Sequence, residues 1–202
     1  MKVIVVTGSV GTGKTTLSKK LAKKLNFLYI DVNKIIKKYN ISEGYDKKRK
    51  TKIVDVGKLN KALIREINHH NSTVRKKSMN DPNKKISIIN PNKKIKYNKI
   101  KSIKNMKNNK KMKNGIIIDS HLSHYLPKKY VDLCIVTKCS LKELEKRLKY
   151  KKYSVDKIRE NLDAEIFCIC LNESKESRHK IMVVDTTKGI DIGKISNKVV
   201  GL

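Results

Sequence analysis

With 202 residues and a formal net charge of +31, the chain is long enough to bury one real core and too short for several. No apolar run approaches the ~20 residues of a membrane span, so a spanning protein is excluded. Cys134, Cys139, Cys168 and Cys170 form no C-x-x-C pair and read as buried, reduced thiols of a cytoplasmic protein, not as a metal site.

Lys2 to Thr7 (KVIVVT) is a short β-branched run that predicts a buried strand, not a signal peptide. GSVGTGKTT follows, Gly8 to Thr16, matching G-x-x-x-x-G-K-[ST] at every fixed position. Leu17, Leu21, Ala22 and Leu25 then repeat at helical spacing. Strand, glycine loop and helix together make a phosphate-binding loop, or P-loop. Its glycines let successive N–H groups curl toward phosphate oxygens, and the helix adds its positive dipole end. In that geometry Lys14 reaches the β/γ-phosphates and the Thr15 hydroxyl ligates Mg²⁺, which makes ATP with Mg²⁺ the expected ligand.

Phe27 to Asp31 predicts a second strand ending in a carboxylate at the edge where open α/β sheets gather ligands. Asp31 there either contacts a second substrate or caps the helix over Asn33 to Tyr39. Ser42 to Lys52 reads as a charged loop. Asp55 precedes a helix carrying Val56, Leu59, Leu63 and Ile67 on one face, with His69 and His70 at its solvated end.

Residues 71–114 carry fifteen Lys and Arg against the single Asp81, with no sustained period and few apolar side chains. Such a tract cannot offset the entropy of ordering it and reads as a mobile insertion. Two readings stand: a basic arm that condenses on RNA phosphates, or a genome-wide bias toward Lys, Asn and Ile. Ile116 to Asp119 restores order as a strand whose final Asp119 is placed like a Walker B carboxylate near Mg²⁺, with His121 at the same edge. Asp132 to Thr137 is the next strand, and Ser140 with Glu143 forms a capping box before a helix with Leu141, Leu144 and Leu148 inward. A helix from Val155 to Ile166, a fifth strand at Ile181 to Asp185 and a last helix with Ile192, Ile195 and Val199 complete the pattern. Five strands interleaved with helices predict a P-loop α/β fold, a parallel sheet flanked by helices, as one domain over 1–202.

The chain resembles the adenylate kinases of the isoenzyme 6 type over about 1–70 and 115–202. The resemblance rests on the phosphate loop, EGYD at Glu43 to Asp46, IVD at Ile53 to Asp55, IIIDSH through His121, Leu126–Pro127 and NLDAEIF at Asn161 to Phe167. It implies phosphoryl transfer between ATP and AMP, with ATPase activity and a role in small ribosomal subunit assembly and rRNA maturation. A small-subunit ribosomal protein and pre-rRNA are the implied partners, for a monomer or weakly self-associating chain.

By the same resemblance Gly8, Gly11, Gly13, Lys14, Thr15, Thr16 and Lys151 bind ATP. Asp119 and Thr15 hold Mg²⁺, and Lys14, Asp119 and His121 are catalytic. Residues 31–54 form the monophosphate segment, through Asp31 and Lys37, and 150–160 a short lid with Arg147 and Lys151. The chain departs from the family's arginines at Lys37 and Lys151. Lysine keeps the charge and loses the bidentate fork, which leaves two other readings open: an ATP-driven assembly switch with negligible AMP kinase activity, or a kinase of another small acceptor.

Overall fold

The computed structural model describes residues 1–47, 51–79 and 114–201. Five parallel strands form the central sheet: β1 (Lys2–Thr7), β2 (Leu28–Asp31), β5 (Gly115–Asp119), β6 (Leu133–Lys138) and β7 (Ile181–Asp185). Their order is β2-β5-β1-β6-β7. These are the five strands expected from the sequence, with ends shifted by a residue or so. β1 sits at the centre because its side chains are apolar on both faces, as a strand covered on both sides must be.

The alternation along β1 divides the core. Val3 and Val5 face one side with Ile116, Ile118 and the apolar edge of α3 (Val56–Met79), namely Leu59, Leu63 and Ile67; α2 (Val32–Lys38) adds Ile35 and Ile36. Ile4 and Val6 face the other side, against Leu17 and Leu21 of α1 (Lys14–Leu25) and Ile195 and Val199 of α7 (Ile192–Val200). A smaller cluster of Cys139, Leu144, Leu148 and Ile158 joins α4 (Leu141–Tyr150) to α5 (Val155–Ile166).

Register fixes which residues share the ligand edge. Asp31 pairs with Asp119 across β2 and β5, and Asp119 with Val6 across β5 and β1. The chain leaves β1 toward β2 on one side, and β6 lies on the other, so the sheet's topological switch flanks the loop that follows β1.

Two expectations are corrected. Ser42–Asp46 and Thr51–Val54 pair antiparallel as a hairpin, β3 and β4, where a charged loop was expected. Its faces alternate too weakly to read as strands, since Tyr45 is 58 % exposed and Ile53 52 %; backbone bonds, not burial, define it. Helix α3 runs through residues 71–79, so the basic tract begins as helix and His69 and His70 lie within it, not at its end; the remainder of that tract, 80–113, lies outside the described residues. The expected lid segment is a turn at 151–154 followed directly by α5. Beyond α5 a separate helix, α6 (Ile169–Glu176), starts after Cys168, which adopts a left-handed φ of 53° and breaks the run.

Candidate active site

The phosphate loop is built by strain-tolerant glycines and a set of buried polar braces. Gly8 has φ 137°, and a Cβ there would lie 2.4 Å from the Thr137 carbonyl oxygen, so no other residue fits. Thr12 Oγ1 bonds Thr137 Oγ1 at 2.7 Å and the Ser9 carbonyl at 2.8 Å, while Thr186 Oγ1 donates to the Thr12 carbonyl at 2.8 Å. Ser9 Oγ donates to Glu165 Oε2 at 2.7 Å, and the other oxygen of Glu165 accepts the Cys139 N–H at 3.2 Å. A buried carboxylate thus ties the loop to the base of α4. Sequence reasoning singled out the stretch around Glu165 without giving that residue a task.

Gly13 enters α1 in left-handed conformation and no side chain caps the helix, so its first N–H groups remain available to an anion. Lys14 Nζ folds back onto the carbonyls of Gly8 and Ser9, 2.8 Å from each. Burial pushes the Lys14 ammonium down to about 8; Cys170 and Asp119 oppose that shift and Lys151 adds to it. Such a cation is under-solvated and gains most from an incoming phosphate.

The loop opens on a cleft of about 860 Å³ at the carboxyl edge of the sheet. Its walls bring together Gly11, Gly13, Lys14, Thr15 and Thr16 with Asp31, Asp119 and His121, and Arg147 and Lys151 close the far side. Gly8 underlies the loop without lining the cleft. Asp119 is buried at the floor, and its Oδ2 accepts the Tyr29 hydroxyl at 2.9 Å. Burial and Asp119 raise the Tyr29 hydroxyl, which keeps it protonated as a donor. Tyr29 was missed; in the sequence it is only one aromatic in a short strand.

Asp31 satisfies both of its readings: it lines the cleft, and its carboxylate accepts the Asn33 N–H at 2.9 Å as the cap of α2. Lys37 is not brought to the cleft wall but lies exposed in the last turn of α2. Arg147 is present but committed: Nε bonds Glu143 at 2.8 Å, and the guanidinium donates to Thr186 O at 2.8 Å and Thr186 Oγ1 at 3.1 Å. Lys151 is exposed, beside a Tyr150 that is 88 % exposed on the same wall. His121 opens to the cleft yet is crowded by protein, and desolvation with the Lys14 charge pushes its imidazole down to about 4. It is therefore neutral near pH 7, an acceptor or orienting group and not a cationic clamp.

The hydroxyl of Thr15 and the carboxylate of Asp119 are hard oxygen donors on one cleft, the donor chemistry that Mg²⁺ prefers. Burial raises the thiols of Cys134 and Cys139 to about 11, which makes both chemically quiet. No described helix is long and apolar enough to cross a membrane.

Residues 4–168 match the model of the AAA domain. Among curated proteins, the chain is 32% identical over 182 residues to a "putative adenylate kinase" of Methanosarcina mazei, covering 90% of this chain and 77% of that protein. It is 28% identical over 174 residues to an adenylate kinase isoenzyme 6 homolog of Caenorhabditis elegans, covering 86% of this chain and 72% of that one. Among solved structures it superposes on a "putative kinase" from Chloroflexus aurantiacus with TM-score 0.50 at 16% identity, covering 99% of this chain and 97% of the other, a likeness of fold.

Proposed function

We infer that this chain, which belongs to the AAA-domain P-loop family and to the adenylate kinases of the isoenzyme 6 type, transfers the γ-phosphoryl group of ATP to AMP and forms two ADP. The observation that carries the reading is the single carboxyl edge on which the phosphate loop, Asp119 and Asp31 meet. No side chain needs to act as a nucleophile, because an oxygen of the acceptor phosphate attacks. The protein's contribution is positioning and charge compensation.

Lys14 swings from its loop carbonyls to the β/γ-phosphates, exchanging two neutral acceptors for an anion. The N–H groups of the loop and of α1 hold the non-bridging oxygens. Bound with ATP, Mg²⁺ would be held by Thr15 and Asp119 and would neutralise phosphate charge. Tyr29 keeps Asp119 oriented while leaving its other oxygen available. Lys151 supplies the charge of the lid, and Asp31 anchors the monophosphate segment.

A second reading has its own support. Arg147 is already engaged and Lys37 lies outside the cleft, so no free arginine fork faces a transferring phosphoryl group among the described residues. That weakens acceptor transfer more than ATP binding and favours an ATP-driven switch, with His121 orienting the attacking water. Such a switch would act in small-subunit assembly and rRNA maturation on a ribosomal protein and pre-rRNA, to which a chain of charge +31 is suited. The four unpaired thiols fit a cytoplasmic setting. Purified protein with ATP, with and without AMP, tests both. AMP-dependent ADP formation supports the kinase; AMP-independent hydrolysis stimulated by RNA or ribosomal protein overturns it in favour of the switch.

A further inference from the structure

Beside the base of the phosphate loop, three side chains from distant parts of the chain converge. His124 lies in the 3-10 turn Ser123–Tyr125 after β5, while Cys170 and Glu173 stand one turn apart on α6. Their potential ligand atoms all lie within 4.8 Å of one another. We propose that His124 Nε2, Cys170 Sγ and Glu173 Oε2 form a binding site for a zinc ion, with a fourth position left to water.

The imidazole of His124 is 1 % exposed, and its Nε2 has no hydrogen-bond partner. Glu173 Oε2 lies 2.9 Å away, at contact distance but off the line a ring N–H would need. The rest of the ring is held in place. Nδ1 bonds Thr7 Oγ1 at 2.8 Å, and the His124 carbonyl meets His179 Nε2 at 2.7 Å. In the tautomer with Nδ1 protonated, Nδ1–H donates to Thr7, whose own hydroxyl lies 3.3 Å from the His121 carbonyl. Nε2 then presents a bare lone pair to a carboxylate oxygen, a repulsion that a cation between them removes.

The remaining contacts resemble the outer support of a metal centre. Tyr125 donates to the other oxygen of Glu173 at 2.7 Å, which aims Oε2 at His124. The Thr7 hydroxyl and the Gly8 N–H contact the Cys170 sulfur. Ligands of a tetrahedral zinc stand about 3.3–3.7 Å apart, so small side-chain rotations suffice to close the cluster. A thiolate, an imidazole and a carboxylate suit a borderline ion such as Zn²⁺, whereas Mg²⁺ requires oxygen donors. Thiolate and carboxylate together cancel the ion's charge, so the loaded site adds no net repulsion toward Lys14. Its effect is structural: it clamps α6 to the base of the phosphate loop, and it does not depend on which phosphoryl acceptor the cleft takes.

The test uses the full-length chain, stripped with a chelator and titrated with Co²⁺ in excess Mg²⁺ without nucleotide. One equivalent should bind, with a thiolate-to-cobalt charge-transfer band that Zn²⁺ displaces, and Zn²⁺ should raise Tm. The nucleotide site offers no thiol among its ligands, so the band separates the two sites. Cys170→Ser should abolish the band and the Zn²⁺-induced rise in Tm. Glu173→Gln should keep the band and weaken Zn²⁺ affinity by at least about tenfold. Absence of the band in the parent chain, or a band that survives Cys170→Ser, overturns the proposal. So does Zn²⁺ affinity unchanged in Glu173→Gln, a variant that keeps the Tyr125 hydrogen bond and remains informative if Cys170→Ser does not fold. ATP binding measured in the same samples reports separately on the nucleotide site.

Discussion

The two ends of the cleft are built by different physics. At the triphosphate end, bonds from Thr137 of β6, Arg147 of α4, Glu165 of α5 and Thr186 just after β7 fix the loop before any ligand arrives. At the end proposed to take the monophosphate, the β3–β4 hairpin stands outside the cleft lining, pairs only with itself and leaves Tyr45 and Ile53 largely in water. It meets the body through Val54, which packs against the core, and through a surface ion pair, Lys58 to Glu43 at 2.7 Å, of the kind that contributes little. A preorganised loop stabilises developing charge without rearranging, while a two-stranded hairpin is marginal alone and can adapt to its ligand. Substitutions in the braces of the rigid end should therefore cost fold and binding together, and substitutions at the adaptable end should cost little fold.

The largest effect tests the rigid end. Gly8→Ala sets a Cβ against the Thr137 carbonyl in a backbone region closed to L side chains. We expect a loss of more than about 3 kcal/mol of stability and no measurable ATP binding, read by thermal melting and calorimetry. A stable Gly8→Ala protein would show that the loop is less fixed than its braces imply.

Lys14→Ala separates binding from fold at the same end. ATP affinity should drop by about 100-fold or more, about 2.7 kcal/mol, while Tm holds or rises, because a desolvated cation is removed. The same residue sets a pH dependence. Its folded-state pKa lies below the ordinary lysine value, so the charged form is the disfavoured one in the free protein. Bound phosphate favours that charged form, so affinity is full below about pH 8 and declines above it, by up to tenfold per unit. Affinity level from pH 7 to pH 9.5 would remove Lys14 from the phosphate contact.

Glu165→Ala should have an intermediate effect. It leaves Ser9 Oγ and the Cys139 N–H without their acceptor, at a cost of about 1–3 kcal/mol, with a matching loss of ATP affinity. If Tm falls and affinity does not, the brace supports the fold and not the loop. The smallest effects belong to the adaptable end. Lys37→Ala, outside the cleft, should leave both Tm and the KM for AMP within about twofold of the parent, a shift of about 0.4 kcal/mol or less. A large rise in KM would mean that the hairpin and α2 close far enough to bring Lys37 to the acceptor phosphate.

How much of this was legible beforehand follows the range of the interactions. The phosphate loop was readable because strand, glycines and helix are adjacent and each carries its own signal. The inner strands β1, β5 and β6 were readable because burial on both faces makes them apolar, and Asp119 because it ends one of them. The hairpin was not readable: its strands are polar and nearly isolated, so no burial pattern marks them. Nor was the break at Cys168, where a non-glycine residue adopts the left-handed conformation.

The residues that the sequence could name are those whose chemistry depends on neighbours within a turn or a strand, such as Gly8, Lys14, Thr15 and Asp31. Those that only the tertiary structure assigned depend on partners far along the chain. Glu165 meets Ser9 across 156 residues, Tyr29 meets Asp119 across 90, and Arg147 spends its donors on Thr186. His124, Cys170 and Glu173 converge because the fold returns α6 to lie beside β6 and the turn after β5. Local propensity and spacing decide the first kind of residue. Where the sheet's crossovers bring the chain back decides the second.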